Sequence, residues 1–426
     1  MKIPPHLANL SKRDIIRYTL SLESRIEELE KRLLAYDNAH TPPSKQQRKD
    51  HYPKPEGSSR KRGAPKGHEG TTRPTPEPTE TKTLNLELCP DCKFPLGKVT
   101  RLERRVIEEL PEPQPLRVIE FLIPHYECKK CNKEVIPVHS ELPKTGRLGN
   151  NLQSQIVLAK YEDRLPHRKV ASMLNRQYNL DLSPATIVDV QKRVADHLQP
   201  EYEKIKTEVK NSTRLHADET GAKLDGDKHW LWVFLSKLYV LFCFSKKREA
   251  KVIEDILGMD YLGILTVDGL KAYPKIVNFI QRCWAHLLRE AKFLAQKHEG
   301  QAQKLYKFLC ELFRMIKAKI ITYEKAIQQM KLEIGFTKGC QELRKFAGLL
   351  ENGLEQWFTC LLYPDVEPTN NKAERQLREF VIQRKIYSTF RSEEGLRITE
   401  TILSVLATWK LQGKNPLQML RLNLSS

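Results

Sequence analysis

No stretch of this chain approaches the roughly 18 consecutive apolar residues that a membrane-spanning helix needs. The N-terminus also lacks the apolar core of a secretory signal. These two absences argue against membrane and secreted classes and predict a cytoplasmic protein with no membrane partner. Cysteine is scarce and odd in number, nine in 426 residues, which argues against a disulfide framework. Acidic charge is in deficit: 53 Asp+Glu stand against 72 Lys+Arg, a net charge of +19. An imbalance of that size points to a polyanionic partner, nucleic acid above all, with a merely basic soluble protein as the alternative.

What is present falls into segments of distinct composition. In residues 1–36, Ser11-Lys12-Arg13-Asp14 resembles a capping box at a helix start. Ile15, Leu22, Leu29 and Tyr36 then recur every seven residues, with Ile26 and Leu33 between them. The spacing predicts a short coiled coil and a homo-oligomer; a single helix packed on its own domain has the same pattern. Residues 37–83 hold eight prolines from Pro42 to Pro78 among Gly, Ser and basic residues, which reads as a flexible basic linker.

Residues 84–140 contain Cys89-Pro90-Asp91-Cys92 and Cys128-Lys129-Lys130-Cys131. The two C-x-x-C pairs predict a zinc ribbon. In it Cys89, Cys92, Cys128 and Cys131 close a tetrahedral shell around one structural Zn²⁺. The long interval between the pairs reads as a hairpin finger of Arg104–Leu110 and Leu116–Pro124. Residues 145–205 read as helices. One begins near Leu165 and carries Arg168 and Lys169. Another begins at Leu182-Ser183-Pro184, with Ser183 as N-cap and Pro184 at the first helical position. The pair has the form of a DNA-binding helix-turn-helix, or of a plain helical hairpin bridging two domains.

Residues 211–410 hold the acids. Arg214–Thr220 alternates as a strand, with Leu215, Ala217 and Glu219 on one face and His216, Asp218 and Thr220 on the other. His229–Leu235 and Tyr239–Phe244 continue an antiparallel meander through the turns Asp225-Gly226-Asp227-Lys228 and Ser236-Lys237-Leu238. A helix from about Lys247 to Leu257 follows, then a strand, Leu262–Val267, ending at Asp268-Gly269. Much later, a helix starting near Pro368 carries Glu374. Three strands, a helix and a strand, with acids on the first strand, after the fourth and on a late helix, give the order of a ribonuclease H-like fold. The fold class expected is therefore multidomain α/β, its catalytic domain a mixed sheet with helices.

Singly, each acid has a plain reading: Asp218-Glu219 as a solvated strand end, Asp268-Gly269 as a turn, Asn371-x-x-Glu374 as a capping box. Jointly, they stand where this fold collects hard oxygen ligands, which suits two Mg²⁺ or Mn²⁺ ions. A helical insertion is expected at about 292–360, where Leu305, Phe308, Leu309, Leu312 and Phe313 form one stripe. Arg375, Arg378, Arg384 and Lys385 on the Glu374 helix supply positive charge for a DNA backbone. Residues 411–426 are left as a C-terminal tail.

Several stretches resemble the signatures of insertion-sequence transposases with a DDE triad, most closely the insertion-sequence 66 family. They are Leu215-His216-Ala217-Asp218-Glu219-Thr220; Val267-Asp268-Gly269 with Tyr273; Arg282-Cys283-Trp284-Ala285-His286 with Arg289; and Asn370-Asn371-Lys372-Ala373-Glu374-Arg375-Gln376-Leu377-Arg378. The likeness runs over nearly the whole chain. Two departures are Thr369, where family members often carry an acidic or apolar residue, and Glu290, where they often carry a second basic residue. The resemblance implies that Asp218, Asp268 and Glu374 are catalytic carboxylates on magnesium, supported by Tyr273, Trp284, His286, Arg289 and Asn371. It implies a prokaryotic, nucleoid-associated DNA transposase. Its partners would be double-stranded DNA, at the element's ends and at the target, and accessory transposition proteins. A non-catalytic zinc-containing DNA-binding protein derived from a transposase, and a ribonuclease H-type nuclease, are the alternatives.

Overall fold

A computed structural model of the chain describes residues 18–26, 76–108, 116–143, 145–269, 272–337 and 339–425. The chain divides into two units, Arg48–Arg117 on the one hand and Met1–Gln47 with Val118–Ser426 on the other. Residues 18–26 of the leader are helical (α1), with Tyr18, Leu22 and Ile26 exposed. The other heptad residues, Ile15, Leu29, Leu33 and Tyr36, lie outside the described residues, as does most of the 37–83 segment.

Each cysteine pair opens a tight loop. In the first unit, Lys93 N donates to Cys89 O and Cys89 N to Phe94 O, both at 2.9 Å. In the second unit, Asn132 N donates to Cys128 O at 2.8 Å and Cys128 N to Lys133 O at 2.9 Å. Lys93 and Asn132 close these loops at positive φ, 60° and 51°. The second loop lies between β1 (Tyr126–Glu127) and β2 (Glu134–Val135), which pair antiparallel. Of the expected finger strands, residues 104–108 and 116–124 carry no strand, and residues 109–115 lie outside the described residues. Leu102, Ile107, Val118 and Leu122 are all exposed.

The larger unit continues with α2 (Asn150–Tyr161), α3 (His167–Tyr178) and α4 (Pro184–Lys210). Ser183 caps α4 as expected, its Oγ accepting from Thr186 N at 3.1 Å, with Pro184 opening the helix. Strands β3 (Arg214–Leu224), β4 (Asp227–Leu235) and β5 (Val240–Ser245) follow. Next come α5 (Ala250–Leu257), β6 (Ile264–Val267) and β7 (Phe279–Arg282). A helical stretch comes after them: α6 (Trp284–Lys297), α7 (Gln301–Lys317), α8 (Tyr323–Phe336), α9 (Gln341–Glu351) and α10 (Thr359–Leu362). The chain closes with α11 (Asn371–Tyr387), α12 (Glu393–Leu411) and α13 (Pro416–Leu424). Among the described residues no helix is long and apolar enough to cross a membrane.

The sheet order is β5-β4-β3-β6-β7. The first three strands are antiparallel, and β6 and β7 run parallel to β3. This mixed α/β arrangement is compatible with a ribonuclease H-like domain. The β3–β4 loop is only Asp225-Gly226, at φ 47° and 92°, the left-handed pair that a two-residue hairpin requires. Helices α4 and α12 pack on β5, and α11 on β3 and β4. Covered on both faces, β4 and β5 read as continuous apolar runs. Strand β7 was not among the expected strands; with only Ile280 and Gln281 buried in four residues, its alternation is too short to read.

Helix α12 covers the β5 edge with side chains. Val240 N donates to Thr408 Oγ1 at 3.0 Å, Phe242 N to Ser404 Oγ at 2.8 Å, and Phe244 N to Glu400 Oε1. Four residues of helix and two of strand both advance about 6–7 Å, so one helix face matches three outward N–H groups of the edge. The edge of β3 is covered differently. Strand β6 pairs with it only as far as His216. Beyond that point Asn370 Nδ2 donates to Ala217 O at 2.7 Å, Arg384 donates to Gly221 O, and Phe390 N donates to Lys223 O at 2.9 Å. The chain from Asn370 to Phe390 is thereby held along the strand that bears Asp218.

Two apolar cores result. One runs from Leu148 to Leu424 and joins α2–α4, the sheet and α11–α13, so the 145–205 helices and the last residues share the core of the sheet. The other belongs to the helical insertion. It runs from Trp284 to Val366 with Ile264 added, and so starts ahead of the expected boundary near 292.

Candidate active site

Asp218 lies on β3, where its Oδ1 accepts from the N–H of Glu219 at 2.9 Å. The register that pairs Thr266 with His216 runs the end of β6, and with it Asp268, toward Asp218. Oxygens of Asp218, Asp268 and Glu219 lie within 4.8 Å of one another. Strand alternation puts Glu219 on the buried face with Leu215 and Ala217, and its carboxylate nevertheless joins the acid group. The Glu219 side chain has no exposed surface. Tyr273 Oη donates to its Oε2 at 2.7 Å, and Arg248 Nε to its Oε1 at 2.8 Å. Arg248 also lies 3.9 Å from Asp268 and over the Trp230 ring, 4.9 Å from its centroid.

Burial pushes the Asp218 carboxyl up to about 8, and the negative charges of Glu219, Asp268 and Glu374 add to the shift. Glu219 is raised as well, by burial and then by Asp268, while Arg248 and Tyr273 pull it back. Buried carboxylates that oppose one another's ionisation are relieved by a cation.

Glu374 stands in the first turn of α11. The Asn371 capping box is not formed. Asn370 is the N-cap, Asn371 is the exposed first helical residue, and no side chain caps the helix. The reason is that the Asn370 side chain is engaged elsewhere, with Ala217 O at 2.7 Å and with His216 Nδ1 at 3.2 Å. The Glu374 carboxylate groups with Cys283 and His286 rather than directly with the two aspartates. Its Oε1 lies 3.5 Å from His286 Nδ1. Burial lowers the His286 pKa against the pull of Glu374. Glu374 Oε1 is buried and has no hydrogen-bond donor among the described residues.

The Arg282–His286 stretch pins these elements together. Cys283 N donates to Val267 O at 2.8 Å, Trp284 N to Pro368 O at 2.9 Å, and Asn370 N to Cys283 Sγ at 3.1 Å. The end of β6, the start of α6 and the start of α11 meet there, and with them Asp268, His286 and Glu374. Trp284 faces the insertion core, with Nε1 on Trp357 O at 2.6 Å and its ring stacked on Phe313 at 5.6 Å. Arg289 is exposed one turn on, where its charge also lowers the His286 pKa. Sequence reasoning missed Glu219, Arg248, Cys283 and Asn370 as members of the site. The acid next to Asp218 was a usable signal for Glu219; Arg248, 29 positions from its partner, offered none.

A family model described as Transposase IS66 family matches residues 145–398. The chain belongs to that family. Two proteins of Sinorhizobium fredii (strain NGR234) are also similar to it. Uncharacterized protein y4qI is 26% identical over 359 residues, covering 72% of this chain and 65% of that protein. Uncharacterized protein y4jD is 22% identical over 372 residues, covering 77% and 72%. The chain thus spans slightly less than two thirds of the length of the first of these relatives.

In this IS66-family chain the basic residues expected at DNA divide into two groups. Arg168 and Lys169 are exposed at the start of α3, and Arg375, Arg378 and Lys385 are exposed on α11. Arg384 is half-buried and held by Gly221 O, so it ties α11 to β3. The acids nearest Glu374 are engaged: Glu379 receives Arg164 at 2.8 and 2.9 Å, and Glu367 pairs with Lys372 at 2.6 Å. At the two cysteine loops, backbone N–H groups of Cys92 and Asp91 lower the Cys89 thiol, and those of Cys131 and Lys130 lower Cys128. Such loops favour the thiolate form that a metal takes.

Proposed function

We propose that this chain is a DDE-type transposase that binds the terminal inverted repeats of an insertion sequence and catalyses metal-dependent strand cleavage and strand transfer. This reading is carried by the Asp218, Glu219 and Asp268 oxygens lying within 4.8 Å of one another, with Glu374 on α11 close enough for its charge to act on Asp218. The donors fit hard divalent cations. Asp218, Glu219 and Asp268 offer oxygens only, and Glu374 Oε1 is a buried acceptor without a donor among the described residues. Asp218, Asp268 and Glu374 would hold two Mg²⁺ or Mn²⁺ ions. Bound there, such ions activate the attacking water or 3′-hydroxyl and stabilise the leaving oxygen.

The chain's own residues supply the rest. Tyr273 and Arg248 hold Glu219, which braces the aspartates. Cys283 and Asn370 fix α11, and hence Glu374, against β3 and β6. Arg168, Lys169, Arg375, Arg378 and Lys385 meet phosphates of the element ends and the target. Cys89, Cys92, Cys128 and Cys131 would hold one structural Zn²⁺, and the leader would join protomers.

The test is cleavage of an end-containing duplex in Mg²⁺, paired with a binding assay and a melting curve. Asp218→Asn, Asp268→Asn and Glu374→Gln should each abolish cutting and leave binding and folding near the parent. Full cleavage by Glu374→Gln would remove that residue from the triad. An unaltered chain that binds ends but never cuts them would instead be a zinc-containing DNA-binding protein.

A further inference from the structure

Beside Asp268 lies a cavity of about 230 Å³ whose wall includes Pro274, Arg282 and Gln356. Arg282 ends β7, and Gln356 comes from a short 3-10 turn of the insertion, Glu355–Trp357. The Arg282 guanidinium is over half buried, and burial holds its pKa below the usual arginine value. Such a charge ordinarily has a carboxylate partner. Among the described residues the Arg282 guanidinium makes no ion pair and one hydrogen bond, from Nε to Gln356 Oε1 at 2.7 Å. Its Cζ lies over the Trp357 ring, 5.4 Å from the centroid. Gly353 makes room for it, because a Cβ at 353 would meet the guanidinium. The group is therefore fixed in place by the insertion while its terminal nitrogens keep their donor capacity. The Gln356 amide nitrogen has no acceptor among the described residues either, so both side chains retain donors for an anionic oxygen.

We infer that this cavity holds the phosphodiester adjoining the one being cut, with Arg282 and Gln356 donating to its oxygens. The inference rests on the transposase reading and gives the helical insertion a part in it: Gln356, Trp357 and Gly353 aim an arginine at the strand that runs past Asp268. A guanidinium fork suits this task because it meets two phosphate oxygens at once, whereas an ammonium meets one.

Full-length protein would be titrated by fluorescence anisotropy with duplexes carrying the sequence that flanks the gene, in Ca²⁺ to prevent cutting. Each duplex carries one neutral methylphosphonate at a different linkage around the cleavage position. For the unaltered chain, one linkage next to the scissile one should weaken binding roughly tenfold or more. In Arg282→Ala the affinity for unmodified duplex should fall by a similar factor, and that linkage should become indifferent. Gly353→Ala, which displaces the guanidinium but keeps its charge, should behave the same way, and Gln356→Ala should show a smaller loss. Melting curves identify any variant that fails to fold, and three variants at separate positions keep the test decisive. Full sensitivity to the neutral linkage in folded Arg282→Ala, or in the other two variants, overturns the inference. Binding does not depend on catalysis, so a chain that binds but never cuts sinks the transposase reading without deciding this one.

Discussion

Asn370 Nδ2 donates to Ala217 O over 2.7 Å, tying the residue before α11 to the residue before Asp218. Both groups are buried, so neither is replaced by water when the partner is lost. Asn370→Ala should cost about 1–3 kcal/mol of stability. It should also cut the cleavage rate more than it weakens DNA binding, because Glu374 lies four residues on. Melting curves and single-turnover cleavage would measure both. Unchanged cleavage in a folded Asn370→Ala protein would mean that Glu374 is positioned by something else.

Glu219 separates a bracing acid from a ligand. Glu219→Gln removes the charge facing Arg248, which keeps only Asp268 at 3.9 Å, and should destabilise by about 1–3 kcal/mol, the lower figure reflecting the partial exposure of Arg248. A bracing Glu219 predicts cleavage that is weakened and recovers as Mg²⁺ is raised, in contrast to Asp218→Asn. A Glu219→Gln protein that stays inactive at every Mg²⁺ concentration would place Glu219 on the metals.

Zinc analysis of the reduced full-length protein should give one equivalent per chain. On the proposed zinc assignment, Cys92→Ser or Cys131→Ser should each bring it close to zero. Cleavage-site Mg²⁺ demand should be unaffected. Less than about half an equivalent in the parent would count against the site.

Removing residues 1–40 should lower the mass seen by light scattering without lowering the melting temperature. The Leu22 and Ile26 side chains are exposed on α1, as a seam awaiting a second helix would be. An unchanged mass would show that the chain associates elsewhere or not at all.

The sheet was legible where turn chemistry and alternation agree. Asp225-Gly226 fixed the β3–β4 hairpin, and the end of β6 led directly to Asp268. The entry of α4 was equally plain from Ser183-Pro184. Alternation was right that Glu219 shares the buried face of Leu215 and Ala217, but it could not show that the carboxylate reaches the acids from there. Asp218 bonds the N–H of its own neighbour, and the two carboxylates meet. The role of Asn370 was illegible because its partner is 153 positions away, and the short β7 carried too few residues for any period to show. The capping-box pattern at Asn371 was present in the sequence but lost to tertiary structure, which moved the helix start by one residue.

Glu400 gives a pH dependence remote from the acids of the site. Its carboxyl accepts from Phe244 N at the β5 edge, and burial pushes its pKa up to about 7 from an ordinary 4.5. Phe244 N–H, Lys206 and Arg397 oppose that rise, and Glu393 reinforces it. Between those two pH values the folded chain keeps a proton that the unfolded chain releases. Its contribution to stability is therefore highest below about pH 4.5, falls as pH rises toward 7, and levels off above. Glu400→Gln keeps an acceptor for Phe244 N and removes the titration. The variant should match its parent near pH 4 and exceed it at pH 8 by on the order of 3 kcal/mol. Urea unfolding of both proteins across this range isolates the effect, because the shared contribution of Asp218 cancels in the difference. A difference that stays constant from pH 4 to pH 8 would show that Glu400 ionises alike in both states, and that its bond to the strand edge is made without a retained proton.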